Sequence, residues 1–161
     1  MYLRRLTIRS QIVSLIIIGG IISLSTIAFV LIRMQSNFAE RQFMLRHERL
    51  TALMASEIAP ALHLSDGRII GKKVKAFVST VEENLVLLKA YNFEGDEVFE
   101  KSNREKTPDL NNKIKRHLRK LKQGEEFRED FPETVILLKP AFLPGDEIGG
   151  FIGVAWSKDE L

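Results

Sequence analysis

The chain has 161 residues, with 24 basic side chains, 21 acidic side chains and no cysteine. This length suits one domain with an appendage, and a chain without cysteine has no disulfides, thiol chemistry or cysteine-based zinc sites. Four of the basic residues and none of the acidic ones precede position 34, which leaves 20 basic and 21 acidic residues in the remainder. The basic isoelectric point therefore comes from the N-terminus and does not indicate nucleic-acid binding.

Residues 12–32 form an uncharged run, IVSLIIIGGIISLSTIAFVLI. A helix of this length spans roughly 31 Å, close to the hydrocarbon thickness of a bilayer. The alternative is a cleavable signal peptide, whose apolar core is about 7–15 residues long and ends in small residues. This run is longer and ends in bulky residues. We therefore predict an uncleaved transmembrane helix at 12–32, within an N-terminal region 1–33.

The charges on either side of the span predict its orientation. Arg4, Arg5 and Arg9 precede it without an acid, whereas acidic and basic residues are mixed after it. Because cytoplasmic flanks of membrane helices carry an excess of Arg and Lys, we expect the N-terminus to be cytoplasmic. Residues 34–161 would then lie on the outer side of the membrane.

Residues 34–64 predict a long helix that continues from the span. The segment contains no glycine, and its apolar residues recur at helical spacing until Ser65-Asp66-Gly67 breaks the pattern. The stem, residues 34–48, is more polar than the rest. It suits a short coiled coil with a second copy, so we predict a homodimer through the 34–64 helix. Packing of the amphipathic helix on its own domain is the alternative, and both can hold on different faces.

Two further helices are predicted in the region 65–161. The second helix carries apolar residues at spacings of three and four. The third helix starts at Thr107-Pro108-Asp109, where a cap residue precedes a proline in the first turn, and it ends at Gly124. The apolar stripe of the second helix consists of Ile70, Val74, Phe77, Val78 and Val81.

Five short apolar or alternating runs predict strands. Short turns join several of them, which favours an antiparallel sheet, and the pair Gly149-Gly150 suggests a β-bulge in the last strand. Helices must cover such a sheet, so the fold class is α+β: a membrane helix continuing into a long helix, then a sheet of about five strands with covering helices. The strands are expected at 85–91, 97–101, 126–131, 134–139 and 148–157.

Three stretches of this pattern resemble the extracytoplasmic PAS-like sensor domains of bacterial transmembrane receptors, the Cache and CHASE group. The first is LTALMASEIAPALHLSDGRIIGKKVKAF, similar to the signalling helix and first domain helix of those sensors. The second, LVLLKAYNFEGDEVFEKS, is similar to their central hairpin. The third, VILLKPAFLPGDEIGGFIGVAWSKDEL, is similar to their terminal hairpin. The resemblance covers about residues 45–161.

The resemblance implies the sensory, N-terminal part of a receptor in the bacterial inner membrane, with residues 34–161 periplasmic or extracellular. Such a domain binds a small ligand or a periplasmic partner protein and transmits a helix displacement across the membrane. The output module of a chemoreceptor, sensor histidine kinase or diguanylate cyclase would follow a second membrane helix beyond residue 161. We therefore expect no enzyme within this chain, no cofactor and no nucleic-acid partner.

Two alternatives differ from this interpretation. One is a complete single-pass accessory or scaffold protein that binds a partner protein. The other is a luminal protein that uses the closing letters KDEL as an endoplasmic-reticulum retention signal. The lack of cysteine and of Asn-x-Ser/Thr sites disfavours the luminal protein. We expect these letters to be a coincidence of where the chain ends.

By the same resemblance, a ligand would sit between the sheet and the long helix or its covering loops. Candidate pocket residues are Tyr91, Phe99, Lys139 and Trp156, each with a polar handle or aromatic face on a predicted strand. The alternative is that these residues belong to the core. The three histidines are dispersed and predict no metal site. The basic run at 113–122 suits an anionic ligand or lipid headgroups, or a solvated helix face.

Overall fold

A computed structural model describes residues 8–79, 84–103 and 107–159 of the chain. Three helices and one five-stranded antiparallel sheet are present in these residues, which confirms the α+β class. Arg4, Arg5, Val81 and the last two letters of KDEL lie outside the described residues. The helices are α1 (Ile8–His63), α2 (Gly67–Val78) and α3 (Leu110–Leu121). The strands are β1 (Leu85–Tyr91), β2 (Glu97–Ser102), β3 (Phe127–Asp130), β4 (Thr134–Phe142) and β5 (Ile148–Ser157).

Helix α1 contains a segment that is long and apolar enough to cross a membrane. Its most apolar 18-residue window has a mean hydropathy of 2.7, and none of that window is buried within the protein. Met1–Gln42 form one unit of the chain, and Phe43–Leu161 form a second, more extensively packed unit. The part of α1 from Phe43 onward therefore belongs to the folded domain.

The sheet has the strand order β2-β1-β5-β4-β3, and every neighbouring pair is antiparallel. The last strand of the chain, β5, lies in the centre and pairs with β1 on one side and β4 on the other. Each central strand is therefore held by ladders of backbone hydrogen bonds on both edges, whereas β2 and β3 form the two sheet edges.

Both faces of the sheet are covered, which explains why β1 is buried along its whole length. Side chains on one face, including Ile152 and Val154 of β5, pack with α1 and α2. Side chains on the other face, including Phe151 and Ala155, pack with α3. The alternation along β5 thus divides one strand between two apolar clusters, and the domain has three layers.

The covering helices bury the apolar stripes that the sequence predicts. In α2, Ile70, Val74 and Val78 are buried, and the Asp66 side chain caps the helix by accepting from the backbone N–H groups of Arg68 (3.0 Å) and Ile69 (3.3 Å). In α1 the break predicted at Ser65-Asp66-Gly67 is confirmed, because α1 ends at His63 and α2 begins at Gly67.

The start of α3 differs from the prediction. Thr107 does not cap the helix; the cap is Asp109, whose carboxylate accepts from the backbone N–H of Asn112 at 3.1 Å. Pro108 therefore precedes the cap instead of lying in the first turn. The Asp109 carboxylate accepts from a backbone donor that the helix itself leaves unpaired, which explains why the aspartate is the N-cap residue.

Strand β4 runs to Phe142, three residues beyond its predicted end at Lys139. Pro140 does not break it, because the neighbouring edge strand β3 pairs only as far as Leu138 and leaves the outer edge of β4 open at the proline. The bulge predicted at the glycine pair is confirmed: Ala141 pairs with Gly150 and Phe142 with Ile148, so the register shifts at this point.

Candidate functional site

Trp156 joins the central strand β5 to helix α1. Its indole N–H donates to the hydroxyl oxygen of Thr51 at 3.0 Å, and that hydroxyl donates to the backbone carbonyl of His47 at 2.7 Å. All three side chains are buried. A buried hydrogen bond is costly to break, because no water can reach the donor and acceptor that are left unpaired. We name these three residues the β5–α1 contact.

The His47 ring completes this contact. Its Nδ1 donates to the carbonyl of Phe43 at 2.8 Å, because a carbonyl only accepts. The ring centroid lies 4.6 Å from that of Trp156 and 4.0 Å from that of Phe43. The last strand of the sheet is therefore tied to one turn of α1 by both aromatic packing and hydrogen bonds.

Tyr91 lies on the opposite face of the sheet, against α3. Its hydroxyl donates to the Oδ1 atom of Asn111 at 2.8 Å. Burial, followed by the negative charges of Glu97 and Glu100, raises the pKa of the Tyr91 phenol. The phenol therefore stays protonated and acts as a neutral hydrogen-bond donor that fastens β1 to the first turn of α3.

Lys89 is a buried cation beside Tyr91 that the sequence interpretation did not single out. Its ammonium lies 2.8 Å from a carboxylate oxygen of Glu97 and 2.9 Å from one of Glu100. Burial opposes the charge, but hydrogen bonds to the two glutamates outweigh it and raise the pKa of Lys89. The bond from Lys89 in turn lowers the pKa of Glu97. A lone lysine inside the apolar run LVLLKAY was the available signal, since buried lysines are almost always paired.

Phe99 and Lys139 complete the set of predicted pocket residues. Phe99 packs beside Gly71 of α2, where a Cβ atom would meet its ring at 3.2 Å. Lys139 is buried and pairs with the exposed carboxylate of Glu126. The structure therefore does not bring the four residues together: Tyr91 faces α3, and the other three are spread over the face that α1 and α2 cover.

A cleft of about 520 Å³ opens at the end of the sheet that carries the β1–β2 and β4–β5 turns. This volume lies within the usual range for small-molecule sites. Four segments meet there: the end of α1, the two turns and the residue after α3. We name it the turn cleft. Its lining comprises Leu62, His63, Ser65, Asn92, Phe93, Glu94, Lys122, Asp146, Glu147, Ile148 and Gly149.

The backbone of the turn cleft is held in uncommon conformations. Ser65 (φ 52°) and Asp146 (φ 63°) are the two non-glycine residues with positive φ within the described residues, and both line the cleft. Ser65 closes the C-terminal end of α1, where its N–H donates to the carbonyl of Leu62 at 3.0 Å, and Asp146 lies in the β4–β5 turn, where aspartate tolerates this conformation. Gly95 (φ 93°) supplies the left-handed position of the β1–β2 turn.

The charges of the turn cleft are unbalanced. Glu94, Asp146 and Glu147 contribute three carboxylates, and no ion pair of these groups is present among residues 8–79, 84–103 and 107–159. The ammonium of Lys122 lies 4.5 Å from the ring centroid of Phe93, in a cation–π arrangement. The cleft thus combines an occupied aromatic face with excess negative charge.

The histidines are distributed over separate environments. His47 belongs to the β5–α1 contact, His63 lines the turn cleft, and His117 stacks on Phe127 with ring centroids 3.7 Å apart. Within the described part of the chain, no group of three His, Asp or Glu side chains is arranged to hold a metal ion.

No protein-family model matches the sequence, and no curated protein matches it either.

Proposed function

We propose that the chain is the sensory part of a bacterial inner-membrane receptor of the PAS-like Cache or CHASE type, with the domain on the outer side. The β5–α1 contact is the observation that carries this proposal. It bonds the central strand to a helix whose earlier residues are apolar enough to cross a membrane. The bond supports the proposal because it gives the sheet a directional, buried link to the same helix that carries the apolar segment.

In this proposal a signal reaches the membrane through β5. A ligand or a periplasmic partner engages the turns at one end of the sheet, and the change shifts the sheet, with β5, relative to α1. At the other end of β5, Trp156 moves Thr51 and with it the turn of α1 that holds His47. Packed helices respond to such shifts by small displacements between two discrete arrangements, which is the form of change that a membrane helix transmits.

We further propose that α1 mediates a homodimer. Leu45 and Leu53 of α1 are 49% and 51% exposed, and Leu53 also borders the groove between α1 and α2. Apolar side chains at this spacing on one helix face suit packing against a second copy of the same helix. A dimer would let the two copies of α1 move relative to one another when β5 shifts.

A membrane-anchored accessory protein is the second candidate. A groove of about 370 Å³ between α1 and α2 favours it, because the lining is largely apolar and includes Leu53, Ile58 and Phe77. Apolar surface of this kind accepts a helix or loop of a partner protein.

A thermal-shift screen of the full chain in detergent micelles tests the sensory proposal. A ligand at 100 times its Kd stabilises a folded protein by about 2.7 kcal/mol. We expect at least one class among organic acids, amino acids and amines to raise the Tm of the wild type. No shift with any class, together with copurification of one stoichiometric partner protein from the source cells, would overturn the ligand-sensing proposal in favour of the accessory protein.

A further inference from the structure

We propose that the turn cleft binds a small organic cation, a primary ammonium with an apolar body. The inference rests on the proposed sensory function and specifies the chemistry of its ligand. Its first support is the Phe93 ring, which is 42% exposed and already carries an ammonium, that of Lys122, 4.5 Å from its centroid. The protein itself therefore shows that a primary amine fits over this ring.

The Phe93 ring contacts a second aromatic ring. Its ring stacks against that of the buried Phe151, with centroids 6.2 Å apart and an interplanar angle of 24°. This contact restricts the position of the Phe93 ring, and the negative face of an aromatic ring attracts cations. Lys122 lies just beyond the end of α3 on a flexible stem, so a free amine can take the place of its ammonium.

The carboxylates provide the second support. Glu94 belongs to the same turn as Phe93, and Asp146 and Glu147 lie across the cleft on the β4–β5 turn. An incoming ammonium would find its counter-ions on two turns at once. Because β4 and β5 leave the second of these turns, a cation that draws the turns together acts directly on β5.

Lys122 then has the role of an internal competitor. It occupies the aromatic face when no ligand is present and leaves it when an amine binds. This role sets the sign of a mutation: removal of the Lys122 ammonium strengthens the binding of a cation. For an anionic ligand the sign is the opposite, because Lys122 would be its anchor.

The test measures the Kd of cyclohexylamine, cyclohexanol and cyclohexanecarboxylate with the full chain in nanodiscs, by titration calorimetry. We expect only the amine to bind the wild type. Phe93→Leu should weaken its binding roughly 2- to 30-fold, whereas Phe93→Trp should preserve or strengthen it, since indole is the best cation–π partner. Lys122→Met should strengthen binding, and Glu94→Gln should weaken it roughly fivefold.

Glu133→Gln is the matched control, because Glu133 precedes β4 at the opposite end of the sheet and should leave the Kd unchanged. Near-ultraviolet circular dichroism confirms that each variant is folded. Binding of the carboxylate with a loss in Lys122→Met, or binding of none of the three compounds, would overturn the cation site. Either of these results leaves the sensory proposal to be tested by the wider thermal-shift screen. Amine binding without a response of α1 would instead contradict the sensory proposal and leave the cation site in place.

Discussion

Among single residues, Trp156 and Thr51 form the hydrogen bond on which the proposed signal path depends. Thr51→Val removes the acceptor and leaves the buried indole N–H unpaired, which should lower the free energy of unfolding by about 1–3 kcal/mol. Thr51→Ser keeps the hydroxyl and loses only a methyl group, about 1 kcal/mol. Because Trp156 is the only tryptophan, its fluorescence follows urea unfolding directly. A Thr51→Val protein as stable as the wild type would show that the hydroxyl contributes nothing.

The Lys89 ion pairs predict a pH dependence of stability. Glu97 has a folded pKa below its ordinary value of 4.5, so its contribution is present above that pH and is lost as the pH falls through the folded pKa. Lys89 has a raised pKa, so its own contribution is lost only as the pH rises through the folded pKa, above 10.5. The contribution of these ion pairs is therefore best measured as the change in stability at acid pH.

Lys89→Met should make the free energy of unfolding, measured in urea, fall less steeply between about pH 6 and pH 3. Without the Lys89 ammonium, protonation of Glu97 no longer breaks an ion pair. Near pH 7 the same variant should be less stable by at most about 1 kcal/mol, because the two glutamates that lose their partner are partly exposed to solvent. Lys115→Met, on an exposed position of α3, is the control and should retain the wild-type acid slope. An unchanged slope in Lys89→Met would refute the role of the ion pairs.

At the scale of elements, β5 lies unusually close to its neighbours at its glycine pair. A Cβ atom at Gly150 would stand 2.4 Å from the carbonyl oxygen of Tyr91 and 3.0 Å from the Cβ of Leu62. Gly150→Ala should therefore cost about 1–3 kcal/mol of unfolding free energy through overpacking. Thermal unfolding of the full chain in micelles measures it.

Gly71→Ala provides the comparison within the same protein. Its Cβ would meet only the Phe99 ring, at 3.2 Å, and a ring end can turn aside. Alanine is favoured over glycine inside a helix by up to about 1 kcal/mol, so we expect a stability equal to or above wild type. A Gly150→Ala protein as stable as Gly71→Ala would mean that β5 has room to move away from β1 and α1.

Much of the element pattern was predictable, and the site was not. Strands β1 and β5 are apolar runs bounded by turn residues, so local sequence identifies them. Both faces of these strands are buried, however, and alternation alone does not say which face meets which helix. The sequence therefore predicts one pocket for Tyr91 and Trp156, although the two side chains face opposite layers of the domain. Ser65 and Asp146 both line the turn cleft, and no local sequence pattern predicts that residues so far apart in the chain share one cleft.

For the molecule as a whole, the proposed membrane orientation makes a direct prediction. The natural chain has no cysteine, so single cysteines report cleanly. In a Gram-negative host we expect Gln35→Cys to react with a membrane-impermeant maleimide in intact spheroplasts, and Ser10→Cys to react only after lysis. Reaction of Ser10→Cys alone before lysis would reverse the proposed topology.

The proposed function requires the domain to pass a signal to the apolar segment of α1. The most direct test places a spin label at Gln35→Cys in the full chain in nanodiscs and measures distances between the two copies of α1 by pulsed electron resonance. Adding cyclohexylamine, or any compound that binds in the screen, should shift the distance distribution by about 1–2 Å or more. Thr51→Val should reduce that shift. A distribution that stays the same at saturating ligand would contradict the account.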